Sequence, residues 1–121
     1  MLTVDNNGDW VAATPGGGGS GVHHTLTQYE QNITIDRAEY IEFDDYYLVN
    51  MRITATSNIG SGAILFTSGI STTYATDCTG VVAASGMYDA EPFVIGSTGN
   101  VITRNSLVNG ALASFSAVVL K

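Results

Sequence analysis

Four carboxylates, Glu39, Glu42, Asp44 and Asp45, fall within residues 39–45 and form the densest titratable group of the chain. Such carboxyl groups serve glycoside hydrolysis when two of them face each other about 5–10 Å apart across a cleft. Here the surrounding residues alternate with a period of two, which puts Glu42 and Asp44 on the solvent side of a strand entering a turn. A surface role is expected, not a catalytic pair. Asp89 and Glu91 follow Tyr88 and read the same way, with Asp89 also placed to line a sugar-contact loop.

The remaining reactive side chains are sparse. His23 and His24 are adjacent and are the only histidines, so alone they cannot build a metal site. They are expected at the solvent-exposed end of a linker, and only three copies meeting on a symmetry axis would give them a metal. Ser/His/Asp catalysis needs a histidine held by the fold, so no hydrolase and no other enzyme is expected. Asp5-Asn6-Asn7-Gly8-Asp9 offers oxygen ligands at the first, third and fifth places of a calcium-type loop. The sixth place is Trp10 and the twelfth Gly16, where glycine and a bidentate glutamate belong, so a hairpin turn is expected instead. Cys78 is the single cysteine, which excludes an intramolecular disulfide and favours a small semi-buried apolar role. No metal and no cofactor are expected.

Tyrosine is the residue type best suited to recognition, since its ring stacks on sugars and its hydroxyl forms hydrogen bonds. Of Tyr29, Tyr40, Tyr46, Tyr47, Tyr74 and Tyr88, Tyr47 shares the alternation of Val49, Met51 and Ile53 and belongs to the core. Tyr74 and Tyr88 lie in or beside loops and, with Asp89, are the candidate glycan contacts.

These groups must be positioned by strands. Runs of period two dominate from His24 to Lys121, as in residues 47–55, and no segment combines helical periodicity with caps. Strands are expected at residues 25–35, 40–43, 47–55, 63–67, 80–87, 92–95, 100–104 and 113–120, with turns at Asp44-Asp45 and Ser97-Thr98-Gly99-Asn100. Several short strands with turn signals between them read as an all-β, antiparallel β-sandwich or jelly-roll-like head.

Ahead of that head, Pro15-Gly16-Gly17-Gly18-Gly19-Ser20-Gly21 divides the chain. Residues 15–22 read as a flexible Gly-rich linker and residues 23–121 as the head domain. Residues 1–14 read as an anchor peptide or hairpin, because Asn7-Gly8 lies between Leu2-Thr3-Val4 and Trp10-Val11-Ala12. A lone hairpin is barely stable in water, so Leu2, Val4, Trp10 and Val11 are expected to dock on a larger partner.

Charge narrows the partners. Four basic residues (Arg37, Arg52, Arg104 and Lys121) stand against eleven acidic ones, for a net charge of −7. Nucleic-acid binding needs clustered Lys and Arg, and an anionic membrane surface attracts the same cluster, so neither partner is expected. No apolar run approaches the roughly 18 residues of a membrane span. Met1-Leu2-Thr3-Val4-Asp5 lacks the basic and apolar regions of a signal peptide, so any route out of a cell is expected to be lysis, not secretion. Charged residues make up only 12% of the chain, leaving Thr, Ser, Asn and Gly to form the polar surface, a palette common in extracellular and virion β-proteins.

From about Ala38 to Lys121 the chain resembles the C-terminal head domains of phage tail-fibre, baseplate and head-fibre structural proteins. The resemblance is carried by Glu39-Tyr40-Ile41 through Leu48–Thr56 with Gly60-Ser61-Gly62 after it, by Leu65-Phe66-Thr67-Ser68-Gly69-Ile70 with Phe-Thr in place of Leu-Pro, and by Val94-Ile95-Gly96-Ser97-Thr98-Gly99-Asn100-Val101. Residues 2–13 look like a recurring virion-protein hairpin placed before Gly-rich spacers. The resemblance implies a homotrimeric jelly-roll-like head, attachment to other virion proteins through residues 1–14 and contact with a host surface. Small residues such as Ala111, Ala113, Ser114 and Ala117 suggest a strand that packs on symmetry mates. The expectation is a non-enzymatic structural component of a bacteriophage virion. Its rival is a carbohydrate-binding module for host cell-wall or capsular glycans.

Overall fold

The computed structural model describes the backbone of residues 2–4 and 10–12 and the whole of residues 21–121. The chain is all-β, and every paired strand in it is antiparallel. Two short strands, β1 (Leu2–Val4) and β2 (Trp10–Ala12), pair with each other alone, in the register Leu2↔Ala12, Thr3↔Val11 and Val4↔Trp10. The side chains of the anchor residues Leu2, Val4, Trp10 and Val11, the turn expected at residues 5–9 and the linker residues 15–20 lie outside the described residues.

The other nine strands are β3 (Val22–Thr25), β4 (Thr27–Gln28), β5 (Ile33–Glu42), β6 (Tyr46–Ala55), β7 (Ile64–Thr67), β8 (Thr76–Ala84), β9 (Met87–Ile95), β10 (Val101–Thr103) and β11 (Leu112–Leu120). They form one sheet in the order β3-β5-β6-β11-β8-β9-β10-β7-β4. Its two outermost strands, β3 and β4, are consecutive in sequence with Leu26 alone between them. Laid flat, eight inter-strand steps of about 4.8 Å would set those edges roughly 38 Å apart, far beyond the reach of one residue. The sheet must therefore curl back on itself, and Leu26 is the corner where one strand passes between its two edges. Leu26 donates its N–H to Ala38 of β5, whereas Tyr29 and Glu30 already donate to Leu65 of β7. The result is a nearly closed, barrel-like sandwich.

The core follows from the alternation. On β6 the odd residues Tyr47, Val49, Met51, Ile53 and Ala55 are buried, and on β11 Ala113, Phe115, Ala117 and Val119 are buried. They meet Leu65, Phe66, Phe93, Ile95 and Val101 from the strands opposite. The small residues Ala111, Ala113 and Ala117, expected at a surface between copies, thus point into the core of their own chain; only Ser114 among them faces outward.

Several boundaries differ from expectation, and the strand expected at residues 40–43 is the end of the longer β5. The strand expected at residues 25–35 is broken by the Leu26 corner and by an irregular stretch over residues 29–32. The one expected at residues 80–87 is the meeting of β8 and β9, joined by a two-residue turn at Ser85-Gly86. Both turn residues have positive φ, 52° and 77°, the handedness that suits the twist of a hairpin. The strand expected at residues 92–95 is accordingly the end of the longer β9.

Candidate functional site

The tyrosines expected to touch a ligand do not share a site. Tyr74 precedes β8 and Tyr88 lies on β9 opposite Ala83, so they flank opposite ends of the β8–β9 hairpin, roughly 23 Å of strand apart. Both are highly exposed, at 79% and 78%, and Asp89 is exposed beside Tyr88. Tyr74 lines a groove of about 430 Å³ formed with Thr73, Thr76, Leu120 and Lys121. Tyr74 accepts a hydrogen bond at its carbonyl from Thr72 Oγ1 (2.7 Å), which steadies the loop without occupying the phenol. Tyr47 is in the core, as its alternation requires, and Tyr40 is buried with it.

A second groove, of about 470 Å³, was not legible from motifs. It lies where β8 and β11 part. These strands pair only through Leu112↔Ala83, Ala113↔Val82 and Ser114↔Val81, and beyond Ser114 the ladder stops. Thr79, Gly80 and Val81 line one side of the fork, Ser114 and Ser116 the other, and Asn50, Arg52, Asp36 and Arg37 complete it from β6 and β5. Arg37 and Arg52 are register partners across the β5–β6 ladder, next to a break in register at Asp36. Arg52 Nε sits 3.6 Å from Asp36 Oδ2, with both side chains about half exposed. Ser116 Oγ donates to Asn50 Oδ1 (2.6 Å), while Asn50 Nδ2 donates to Glu39 Oε1 (3.3 Å), so the amide is fixed from both ends. The signal for this pair was present in the sequence: counting outward from the Asp44-Asp45 turn, residue by residue, sets Arg37 opposite Arg52.

The acidic cluster resolves into separate surface contacts. Glu42 receives Lys121 Nζ at 2.9 Å and lies 3.2 Å from His24 Nε2. The lysine hydrogen bond most of all lowers Glu42, desolvation opposes it, and the Lys121 charge and the His24 contact complete a net shift below the usual carboxylate range. The same hydrogen bond raises the Lys121 ammonium. His24, expected at a free linker end, is instead part of β3, with its ring stacked on Tyr40 at 4.6 Å. His23 lies on the same strand, pointing the other way by alternation, and is exposed. Glu91 is bonded by Asn105 Nδ2 and takes no part in a carboxylate pair with Asp89. Among the described residues, no three His, Cys, Asp or Glu side chains gather to hold a metal ion.

Cys78 faces inward on β8 opposite Phe93 and is half-buried. Burial, with the charge of Asp77 beside it, pushes its thiol up to about 11. The two grooves are lined by hydroxyls of Thr and Ser, the Asn50 amide, the Asp36 carboxylate, the Arg37 and Arg52 guanidinium groups, the Lys121 side chain and the Tyr74 phenol. No family model, curated protein or solved structure matches the chain.

Proposed function

We propose that the chain is a non-enzymatic structural component of a bacteriophage virion, a head module that docks through its N-terminal hairpin. The observation that carries this reading is the separateness of β1–β2, a two-stranded sheet that shares no pairing with the nine-stranded one. A two-stranded ribbon of three-residue strands is not independently stable, so it favours a role completed by a partner surface. The Gly-rich run between it and the head suits a tether, and the resemblance to phage head domains supplies the setting. Other virion proteins are the partners of residues 1–14 in this reading, and the virion is its location. A homotrimeric head finds support not in the buried alanines but in the outward residues Val81, Val118 and Leu120, which stay exposed in the single chain.

Deleting residues 1–14 is expected to release the protein from particles while light scattering and circular dichroism show an unchanged, folded head. Truncated protein that still decorates particles would overturn the anchor. A solution mass near one protomer would overturn self-assembly.

A second reading, host-glycan recognition, is favoured by one specific feature. Tyr74 stands 79% exposed in a groove with the apolar Leu120, the arrangement of a ring that stacks on a sugar face.

A further inference from the structure

We propose that the seam between β8 and β11 is a binding cleft for an acidic oligosaccharide, with Arg37 and Arg52 gripping a sugar carboxylate at its fork and Tyr74 stacking on a ring at its mouth. The proposal deepens the recognition reading and stands apart from the virion one.

The two guanidinium groups are the first argument. Arg37 and Arg52 are direct cross-strand partners, an arrangement in which like charges destabilise a sheet. They are half of the basic residues in a chain with eleven acids. Asp36 reaches only Arg52, and loosely at 3.6 Å; among the described residues no carboxylate comes within 4.0 Å of Arg37. An anion held between the two forks relieves the repulsion and gains paired, charge-assisted hydrogen bonds of the kind guanidinium makes with carboxylate.

The second argument is the groove beside them. Its volume of about 470 Å³ is that of a small-ligand site, and its other polar side chains are Asn50, Thr79, Ser114, Ser116 and Asp36, whose carboxylate is turned to Arg52. Hydroxyls and a fixed amide match the alternating donors and acceptors of sugar hydroxyls better than they match a bare inorganic anion. The groove exists because the β8–β11 ladder stops after Ser114 and the two strands part there.

The third is alignment. The Tyr74 groove lies farther along the same two strands, bounded by Thr76 on β8 and Leu120 on β11. From Ser114, the cross-strand partner of Arg52, to Leu120 is six strand steps, about 20 Å. That distance suits an oligosaccharide lying along the seam, anchored by charge at one end and by stacking at the other.

The test is a glycan array carrying uronate-, sialate- and pyruvate-bearing oligosaccharides beside neutral ones, probed with the full chain. Hits are then measured by calorimetry with and without sodium sulfate at a concentration equal to that of the glycan. Binding confined to acidic glycans is expected, weakened at least tenfold in Arg37→Gln and in Arg52→Gln and several-fold in Tyr74→Ala, with thermal midpoints of the arginine variants no lower than that of the wild type because the like-charge repulsion is gone. Arg52→Lys, which keeps the charge and loses the fork, is expected to bind no better than Arg52→Gln. Equal binding of neutral glycans, or full affinity in both arginine variants, would overturn the cleft while leaving glycan recognition standing. Full displacement by sulfate at equimolar concentration would reduce it to a simple anion site and overturn the saccharide. No binding on the array would remove both the cleft and the recognition reading.

Discussion

Lys121, the last residue, donates its ammonium to Glu42 Oε2 over 2.9 Å and so ties the end of β11 to β5, past the intervening β6. On the way its Nζ passes 4.8 Å from the centre of the Tyr47 ring of β6, a cation–π contact that makes three strands share one charge. The contact lowers Glu42 and raises Lys121, so its pH signature has two limbs. Stability from the depressed carboxylate is present above the usual carboxylate range and is lost as pH falls through the lowered Glu42 value. Stability from the raised ammonium is present below the usual lysine range and is lost as pH rises through the raised Lys121 value. Lys121→Met is therefore expected to lower the thermal midpoint slightly at pH about 7, since exposed pairs contribute little. Wild type and variant should converge once the pH has fallen below the lowered Glu42 value. Calorimetry at neutral and at acid pH checks this, and a difference that persists in acid would assign the effect to packing on Tyr47.

Cys78 gives a sharper chemical test. With its thiol pushed up to about 11, the thiolate is scarce at neutral pH, and the sulfur faces inward opposite Phe93. A disulfide reagent such as dithionitrobenzoate at pH about 8 should label the native protein on the order of a hundredfold more slowly than free cysteine, because only the thiolate attacks. Adding denaturant should bring the rate to that of an exposed thiol. Fast labelling of the folded chain would mean that the β8–β11 seam opens readily.

Much of the architecture could be read from alternation. The β6 pattern from Tyr47 to Ala55 is buried on the expected residues, because one face of the strand meets the core, whereas the β11 alanines, expected between copies, fill the core of their own chain. Closure could not be read. Leu26 differs from its neighbours only in being apolar between threonines, and nothing local announces that the strand changes partners there. Ser85-Gly86 is hidden in the sequence because residues 80–87 keep small and apolar residues on both sides of it, so the turn sits within one apparent strand. The proposed recognition surface is half legible: Tyr74 stands out as an aromatic in a Thr-rich stretch, whereas the arginine pair needs the ladder register that follows from the Asp44-Asp45 turn.

The Ser85-Gly86 turn carries its own prediction. Ser85 has φ of 52°, the one positive value outside glycine among the described residues, and left-handed backbone costs a typical side-chain-bearing residue about 1–2 kcal/mol. Asparagine tolerates that region better and favours the first place of such turns. Ser85→Asn should stabilise the protein by about 0.5–1 kcal/mol, a part of that strain. Gly86→Val should destabilise it, since φ of 77° suits a branched side chain badly. Urea denaturation reads both, and opposite signs are the required outcome.

Gly80 is where the fold leaves no room. A Cβ there would lie 2.6 Å from Phe93 Cε2 and 2.7 Å from the carbonyl oxygen of Ser114. Phe93 is fully buried and packs on Phe115 at 5.3 Å between ring centres, so the ring has little space to move aside. The carbonyl belongs to the last paired residue of the β8–β11 ladder and cannot move without loosening it. Gly80→Ala should therefore destabilise the protein by about 1–3 kcal/mol through overpacking. Shortening the ring as well, in Gly80→Ala/Phe93→Leu, would remove one clash and leave the other. The double variant should therefore fall short of the stability of Phe93→Leu alone. If the two substitutions were simply additive in denaturant melts, the ring clash would be absent and the carbonyl contact would account for the whole cost. Amide exchange supplies the structural readout: Gly80→Ala should speed exchange at the paired residues of β8 and β11 more than in the β5–β6 ladder, because the fork is where the added methyl pushes.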